Sequence, residues 1–258
     1  MESLYKYIFK RKSFHLFRNN KTKEEYNKYY HISDDELNDI YKIYKELTPL
    51  MKDIKTDIRI VSNELTNCKR YQEYCILFYS EKKNNYLQNI GYIGEQLDLY
   101  LASKNIGCLW YGIGKTNEIT YNGLEFVTMM AISKVPNDSF RKDMYKSKRK
   151  SIDEIWDGNR YKEMANIVRF SPSSCNTQPW FVKEDNNKLL IYRYRKEGKR
   201  GIMPKNRVIY QNLIDIGIFL LFIELYLKEN KLNYSINIHN DNELNEDELT
   251  LNYEIIIE

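Results

Sequence analysis

The segment SPSSCNTQPW, residues 171–180, joins turn-forming residues, hydroxyls and amides to a tryptophan, with no charge among them. A solvent-exposed loop does not need the tryptophan, and a strand in a protein core disfavours so many polar groups. A helix-to-strand turn around a buried aromatic side chain would explain the pattern on structural grounds. The segment also raises the question of what its polar groups hold.

A cluster of cations occurs in FKRKSFHLF, residues 9–17. Arginine grips a phosphate through two N–H groups, and a hydroxyl with backbone N–H groups can complete such a site, so this segment could form an anion clamp. A solvated basic face is the commoner origin of such a cluster. A third segment, NIGCLWYGIG at residues 105–114, places glycines around a tryptophan. It suits either a helix C-cap with a tight turn or a close backbone approach to a flat ligand.

Hydrophobic periodicity and capping signals predict the elements that position these segments. Ser33 and Glu36 form a capping-box pattern at the start of one helix. Further helices are predicted over residues 1–10, 90–105, 149–170 and 208–229. Strands are predicted over residues 74–81, 123–135 and 248–258, and as a pair over 180–185 and 188–194 joined at Asn186-Asn187. The most apolar stretch, residues 214–225, is too short to span a bilayer and carries Asp215 and Glu224, which predicts a buried core helix.

Length and composition are typical of a soluble globular protein with one large domain or two small ones. The chain has 258 residues, of which 42% are hydrophobic and 29% charged, and a net charge of +4. This mild charge permits an anionic ligand without demanding nucleic acid. The four cysteines show neither a CxxC pair nor a histidine cluster, which predicts reduced thiols and no metal site. No signal peptide is visible, so we expect a cytoplasmic protein without a membrane partner.

An internal repeat is suggested by a shift of 126 residues. The shift places Ile90-Gly91 on Ile216-Gly217 and aligns residues 99–101 with residues 225–227. Each half then contains a helix pair around a strand pair, followed by an apolar helix and a strand. Chance similarity between two buried helices is the competing explanation.

Together, the three segments resemble the FMN-dependent nitroreductase family. In that family a segment of the type PS-small-x-N-x-QPW lies along the flavin, and residues 172–180 match it closely. A GLGTCWIG segment covers the reactive edge of the ring and is matched at Gly107, Trp110 and Gly112. An Arg-x-Ser segment is matched at residues 11–13, and a basic segment that completes the phosphate site is matched by KSKRKSIDEI, residues 146–155.

The order of these motifs is similar to that of a fused subgroup of nitroreductases. Family members form homodimers in which one subunit supplies the Arg-x-Ser, GLGTCW and basic segments and the other supplies the QPW segment. Here the first three lie in residues 1–150, the QPW segment lies in residues 151–258, and the reverse set is missing. The resemblance implies an α+β fold with a mostly antiparallel sheet covered by helices. It also implies two pseudo-symmetric halves, 1–150 and 151–258, in one compact pseudo-dimeric unit with one surviving flavin site.

The resemblance also assigns residues to the cofactor. Arg11, Ser13 and Arg149 are expected at the FMN phosphate, with Lys12 and Lys148 as weaker candidates. The backbone near Trp110, Tyr111 and Gly112 is expected at the N5 edge, where N–H groups would orient the flavin. The QPW segment is expected to contribute Pro172, Ser173, Ser174, Asn176 and Gln178, with Pro179 and Trp180 setting and packing the turn. Cys175 is expected to be a small filler rather than a reactive thiol.

His15 departs from the family, which has Lys or Arg at this position near the flavin pyrimidine. A histidine with its unperturbed pKa of about 6.5 is only partly charged at neutral pH. We therefore predict that the reduction potential or rate of the flavin varies with pH through His15. A histidine that only caps or packs locally is the alternative.

The implied activity is that of an FMN-dependent NAD(P)H oxidoreductase with ping-pong hydride transfer to a nitroaromatic, quinone or similar acceptor. The flavin carries the chemistry, so no catalytic side chain is assigned. Residues 18–33 and 195–207 are the candidate acceptor loops. A monomer that imitates the dimer is expected, with further self-association open.

Three other functions compete. One is a flavin-binding protein with little turnover, serving as a sensor or store. Another is a different flavoenzyme activity, such as a dehydrogenase or dehalogenase, because fold does not fix function. The third is a nucleic-acid-binding protein that uses residues 146–150 and the tyrosines, which the mild net charge and the lack of a nucleic-acid-binding motif disfavour.

Overall fold

Two five-stranded sheets, each in its own compact unit, organise the chain. A computed structural model describes residues 3–195 and 203–258, without the side chains of residues 205 and 206. The N-terminal unit contains residues 6–86 and 93–143. The C-terminal unit contains the residues up to Tyr5, residues 87–92 and residues 144–258. The predicted halves differ from these units in the short segments up to Tyr5 and at 87–92, and in a boundary at 143 rather than 150.

The described residues form five α-helices and ten strands. The helices are α1 (Tyr5–Lys10), α2 (Asp34–Glu46), α3 (Tyr86–Ser103), α4 (Lys162–Val168) and α5 (Lys205–Glu229). The strands are β1 (Thr56–Ser62), β2 (Tyr74–Ser80), β3 (Ile106–Trp110), β4 (Thr120–Tyr121), β5 (Leu124–Lys134), β6 (Trp156–Asp157), β7 (Trp180–Asp185), β8 (Lys188–Tyr194), β9 (Tyr234–Ile238) and β10 (Leu249–Ile257).

The sheets are mostly antiparallel, which confirms the predicted mixed fold class. The N-terminal sheet has the order β1-β2-β5-β3 with β4 beside β5, and the C-terminal sheet has the order β6-β7-β8-β10-β9. One pair, β6 with β7, is parallel. Apart from the two-residue strands β4 and β6, each sheet has a strand pair followed by a long helix and then by two strands, the last of which lies in the middle. This shared connection order is what duplication of a half-fold predicts, and the pseudo-symmetry itself stays a prediction.

Most of the predicted elements are confirmed within a few residues. Ser33 accepts a hydrogen bond from the Glu36 N–H while the Glu36 carboxylate accepts from the Ser33 N–H, so the capping box begins α2 as predicted. The β7–β8 hairpin turns at Asn186, whose φ of 55° is tolerated by asparagine. Strands β2, β5 and β10 and helix α3 also fall where the apolar patterns placed them.

The predicted helix over residues 149–170 is wrong over most of its length. It contains a short 3-10 turn, the two-residue strand β6, and α4 only from Lys162. Gly158 interrupts it with a φ of 140°. The Glu184 side chain on β7 then accepts hydrogen bonds from Trp156 Nε1 and from the N–H groups of Arg160 and Tyr161. These bonds hold the segment against the sheet in a non-helical path.

Helix α5 is buried, as predicted, but it is longer than its most apolar stretch. By length and composition alone residues 207–229 could cross a membrane, although the most apolar stretch within them, residues 214–225, is too short to do so, as predicted. In the structure 89% of its most apolar window is inside the protein. Trp180 on β7 stacks on Phe219 of α5 with ring centroids 4.6 Å apart, so the aromatic residue of the QPW segment anchors the C-terminal core.

Candidate functional site

The segment Arg11–His15 of the N-terminal unit follows α1 and runs beside β3. Ser13 pairs in parallel with Cys108, and the Phe14 N–H donates to the Cys108 carbonyl at 3.0 Å. Gly107 makes this contact possible, because a Cβ there would lie 2.9 Å from the Phe14 ring. Helix α3 ends just before this segment, and Asn105 follows with a φ of 57°, as the C-cap interpretation expects. Residues 106–110 then form strand β3, in which Gly107 packs against Phe14.

Arg11 lies in a buried ion-pair cluster. Its side chain is 3% exposed, and its Nε contacts Asp98 at 2.8 Å and Glu95 at 3.2 Å. Its Nη2 donates to the Ser13 hydroxyl at 3.3 Å. Burial lowers the pKa of Arg11, but the two carboxylates outweigh it and hold the guanidinium charged. Internal carboxylates thus already bind the Nε of Arg11, and its role at a phosphate stays a prediction.

Cations crowd the surroundings of Ser13. The Lys12 ammonium donates to the Ser139 carbonyl, and burial together with Arg141 lowers the pKa of Lys12. Burial and Arg11 lower the pKa of Arg141 to about 10. Within the described residues, Arg141 has no carboxylate within ion-pair distance. Half-buried cations that repel one another gain stability from a bound anion, so this region fits a phosphate or a similar group. Arg141 is a candidate that the sequence motifs did not reveal.

His15 is solvent-exposed and lies beside two arginines. Partial loss of hydration lowers its pKa first, and the charges of Arg70 and Arg11 lower it further. The lowered pKa makes the His15 imidazole less charged at neutral pH than an unperturbed histidine, and its role at the flavin stays a prediction.

Trp110 and Tyr111 of the predicted flavin-edge segment make contacts within the N-terminal unit. Trp110 Nε1 donates to Glu95 at 3.1 Å, and its ring stacks on Phe78. The Tyr111 N–H donates to the Met129 carbonyl at 2.9 Å, so the expectation that this N–H orients the flavin is wrong for the described conformation. The Arg70 guanidinium lies over the Tyr111 ring, 5.6 Å from its centroid. Gly112 follows directly, and its contact with a ligand stays a prediction.

In the C-terminal unit, the QPW segment forms a tight turn with unusual backbone angles. Cys175, Asn176 and Gln178 have φ values of 51°, 55° and 47°. Each costs some conformational energy, so the turn needs support from its surroundings. The Gln178 N–H donates to the Ser173 hydroxyl at 3.0 Å, which closes the turn.

Buried Asp215 on α5 provides that support. Its carboxylate accepts from the Ser174 N–H at 3.0 and 3.1 Å and from the Asn212 side chain at 3.2 Å. Asn212 also donates to the Thr177 hydroxyl at 3.0 Å. Burial raises the pKa of Asp215 to about 7 despite these hydrogen bonds, which favour the charged form. The apolar pattern of α5 placed Asp215 in a core helix but did not reveal this contact.

The structure brings the basic segment to the QPW turn. Arg149 donates to the Asn176 side-chain oxygen at 3.0 Å and to the Phe170 carbonyl at 3.2 Å. Asn176 donates to the Lys148 carbonyl at 3.2 Å, and the Lys150 N–H donates to the Gln178 side chain at 2.8 Å. Residues nearly 30 positions apart in sequence thus form one cationic, amide-rich surface. The predicted members Lys148, Arg149, Asn176 and Gln178 lie together, and Lys150 joins them.

Comparison with known proteins identifies the family. The family model described as "Putative TM nitroreductase" matches residues 3–226. The chain belongs to this family. A solved structure described as a putative nitroreductase from Thermotoga maritima MSB8 is similar over 99% of this chain and 94% of its own, with 17% identity and a TM-score of 0.61. A nitroreductase-like family protein from Bacillus cereus covers 60% of this chain and 94% of its own, with 12% identity and a TM-score of 0.38. No curated protein matches the chain.

Members of a nitroreductase family are expected to use a flavin, and the described residues fit one in two respects. The N-terminal unit gathers Lys12 and Arg141 near Ser13, where a negatively charged group would relieve repulsion. The C-terminal unit presents hydroxyl and amide groups beside Arg149, which suits a polar ring system with a phosphate tail. No group of three or more His, Cys, Asp or Glu side chains that could hold a metal occurs in the parts of the chain that the structure describes.

Proposed function

We propose that this nitroreductase-family protein is an FMN-dependent NAD(P)H oxidoreductase that passes electrons to a nitroaromatic, quinone or similar small acceptor. Family membership supports an oxidoreductase. The observation that best supports the finer assignment is the joining of Arg149 to Asn176 in the QPW turn, because it combines a phosphate-type cation with flavin-type amides in one surface. When bound, FMN would accept a hydride from the nucleotide and release the electrons to the acceptor.

The residues of this chain would bind and orient the cofactor. In the C-terminal unit, Arg149 and Lys148 would hold the phosphate. In the N-terminal unit, Ser13, Lys12 and Arg141 offer a hydroxyl and positive charge suited to an anionic group. Ser173, Ser174, Asn176 and Gln178 would hydrogen-bond polar edges of the ring, with Pro172 fixing the entry to the turn. Asp215 would keep the turn in shape by accepting from the Ser174 N–H. His15, whose pKa is lowered by partial desolvation and by Arg70 and Arg11, would add less charge at neutral pH than an unperturbed histidine.

The proposal is tested by binding FMN and riboflavin to the wild type and to Arg149→Ala. Riboflavin lacks the phosphate, so the comparison separates phosphate binding from the shape of the turn. We expect Arg149→Ala to weaken FMN binding about tenfold to a hundredfold, the loss of one charge-assisted contact, and to change riboflavin binding little. Lys162→Ala, which removes an exposed cation of the same unit, is the matched control. Equal losses for both ligands, or no binding of either, would argue against the assignment.

A further inference from the structure

A pair of buried thiols in the N-terminal unit takes no part in the proposed flavin chemistry. Cys68 precedes β2 in a surface loop and is 2% exposed, while Cys75 is the second residue of β2 and is fully buried. Both are free thiols, and the Thr66 hydroxyl lies between them: it accepts from the Cys68 N–H at 3.3 Å and lies 3.5 Å from the Cys75 sulfur. Asn67 and Lys69 on either side of Cys68 are exposed, so one loop residue turns inward toward the strand.

Polar partners surround Cys75. The Gln72 side-chain amide lies 3.6 Å from its sulfur, and the Thr66 hydroxyl lies 3.5 Å from it. Gln72 also donates to the Cys68 carbonyl at 2.8 Å, which fixes the loop across the pair. The neighbouring Cys68 thiol, the Thr66 hydroxyl and the Gln72 amide lower the pKa of Cys75 against the effect of burial. Hydrogen bonds of this kind favour the thiolate, which is the reactive form of cysteine.

We propose that Cys68 and Cys75 are a redox site that closes to an intramolecular disulfide when the protein meets a peroxide. The Cys75 thiolate attacks one peroxide oxygen, the O–O bond breaks, and a sulfenic acid forms as the second oxygen leaves as water after taking a proton. The Cys68 thiol then attacks that sulfur, loses its proton and displaces the second water. Two thiols and one hydrogen peroxide thus give one disulfide and two waters.

The loop that carries the pair also touches the predicted flavin-edge segment. The Asn67 N–H donates to the Lys115 carbonyl at 3.1 Å, and the Lys115 N–H donates to the Asn67 side chain at 2.7 Å. Arg70, between the two cysteines in sequence, lies over the Tyr111 ring. Closure of the disulfide would therefore restrain a loop that is bonded to residues 111–116. The thiol chemistry itself does not depend on flavin binding.

The test uses the full chain with the exposed Cys175 changed to serine, which prevents cross-linking between molecules. Trypsin cuts after Lys69 and Arg70, between the two cysteines, so a disulfide leaves residues 60–69 joined to residues 71–82. After hydrogen peroxide treatment and alkylation of remaining thiols, we expect this joined peptide, a mass loss of two hydrogens, and reversal by dithiothreitol.

The test leaves Cys68 and Cys75 unchanged, so its result does not depend on whether a substitution at either cysteine prevents folding. Buried Cys108 serves as an internal control and should remain alkylatable after unfolding. Recovery of both peptides unlinked and alkylated, under conditions that fully oxidise Cys175 in the wild type, would overturn the proposal. Separate oxidation of Cys68 or Cys75 to a sulfinic acid without the joined peptide would also overturn it.

Discussion

Gly91 of α3 and Gly217 of α5 occupy reciprocal positions where the two helices meet. A Cβ at Gly91 would overlap the carbonyl oxygen of Ile214, and a Cβ at Gly217 would overlap the carbonyl oxygen of Gln88. Both pairs of partners are related by the shift of 126 residues that the sequence repeat suggests. Such reciprocal contacts are typical of an interface with two-fold character. All four residues belong to the C-terminal unit.

This close helix contact predicts that neither glycine tolerates a methyl group. Gly91→Ala or Gly217→Ala should each lower the free energy of unfolding by about 3 kcal/mol or more, because backbone atoms cannot move aside as a flexible side chain can. Urea unfolding measures the loss. Lys228→Ala on the exposed side of α5 is the control and should change stability by less than about 1 kcal/mol. The double glycine variant should lose less than the sum of the two single losses, since both methyl groups separate the same helices. Unchanged midpoints in both single variants would contradict the contact.

Arg11 is predicted to stabilise the fold through its carboxylate partners. Arg11→Met leaves Asp98 and Glu95 buried without their cation and should cost about 3 to 5 kcal/mol of unfolding free energy. Adding Asp98→Asn should recover part of this loss, because one buried charge is then removed. Lys12→Met, at a half-buried neighbouring cation, is the control and should be milder. If Arg11→Met weakens FMN binding while leaving urea unfolding unaltered, the residue serves the phosphate rather than the fold.

Asp215 is predicted to make stability depend on pH in an unusual direction. Its folded pKa of about 7 lies above the unfolded value of 3.8, so the folded state binds the proton more tightly. Stability contributed by this group is therefore fully present below about pH 4 and is lost as the pH rises to about 7. The difference in unfolding free energy between wild type and Asp215→Asn should shift by up to about 4 kcal/mol across this range, against the wild type at high pH. A difference that stays constant with pH would contradict the raised pKa.

His15 is predicted to tune the flavin only in acid. Because partial desolvation, Arg70 and Arg11 lower its pKa, its inflection in the pH profile of flavin reduction should lie below 6.5. The His15→Gln variant should lose this inflection, whereas His31→Gln, at an exposed histidine, should keep it. The rate of flavin reduction, measured from pH 5 to 8, shows whether this inflection is present. A pH profile that His15→Gln leaves unchanged would count against any role of this residue at the flavin.

The long elements could be predicted from sequence because their signals are local. The apolar run of α5, the alternation of β8 and the capping box of α2 each lie within one stretch of chain. The path of residues 149–170 could not, because it depends on Glu184, which accepts three hydrogen bonds from another part of the unit. Local helix signals were overridden there by one partly buried carboxylate and by Gly158.

For the candidate site, too, local signals could be predicted from the sequence and contacts with distant residues could not. The Arg-x-Ser and QPW motifs marked two of the segments that carry the proposed site, because the family pattern is carried by adjacent residues. The partners that decide what each side chain does come from far along the chain: Asp98 for Arg11, Asp215 for the QPW turn, and Met129 for the Tyr111 N–H. Arg141 was missed because nothing near it in sequence marks it as part of the cationic region. Residues 196–202 of the predicted acceptor loop lie outside the described residues.

The most direct measurement is the visible absorption spectrum of the purified protein with added FMN, followed without oxygen by NADH or NADPH. The proposed function predicts flavin bands that stay with the protein after unbound FMN is removed and that bleach when one of the nucleotides is added. A protein that retains no flavin, or a bound flavin that neither nucleotide bleaches, would contradict an FMN-dependent NAD(P)H oxidoreductase. The second of these results would favour a flavin sensor or store.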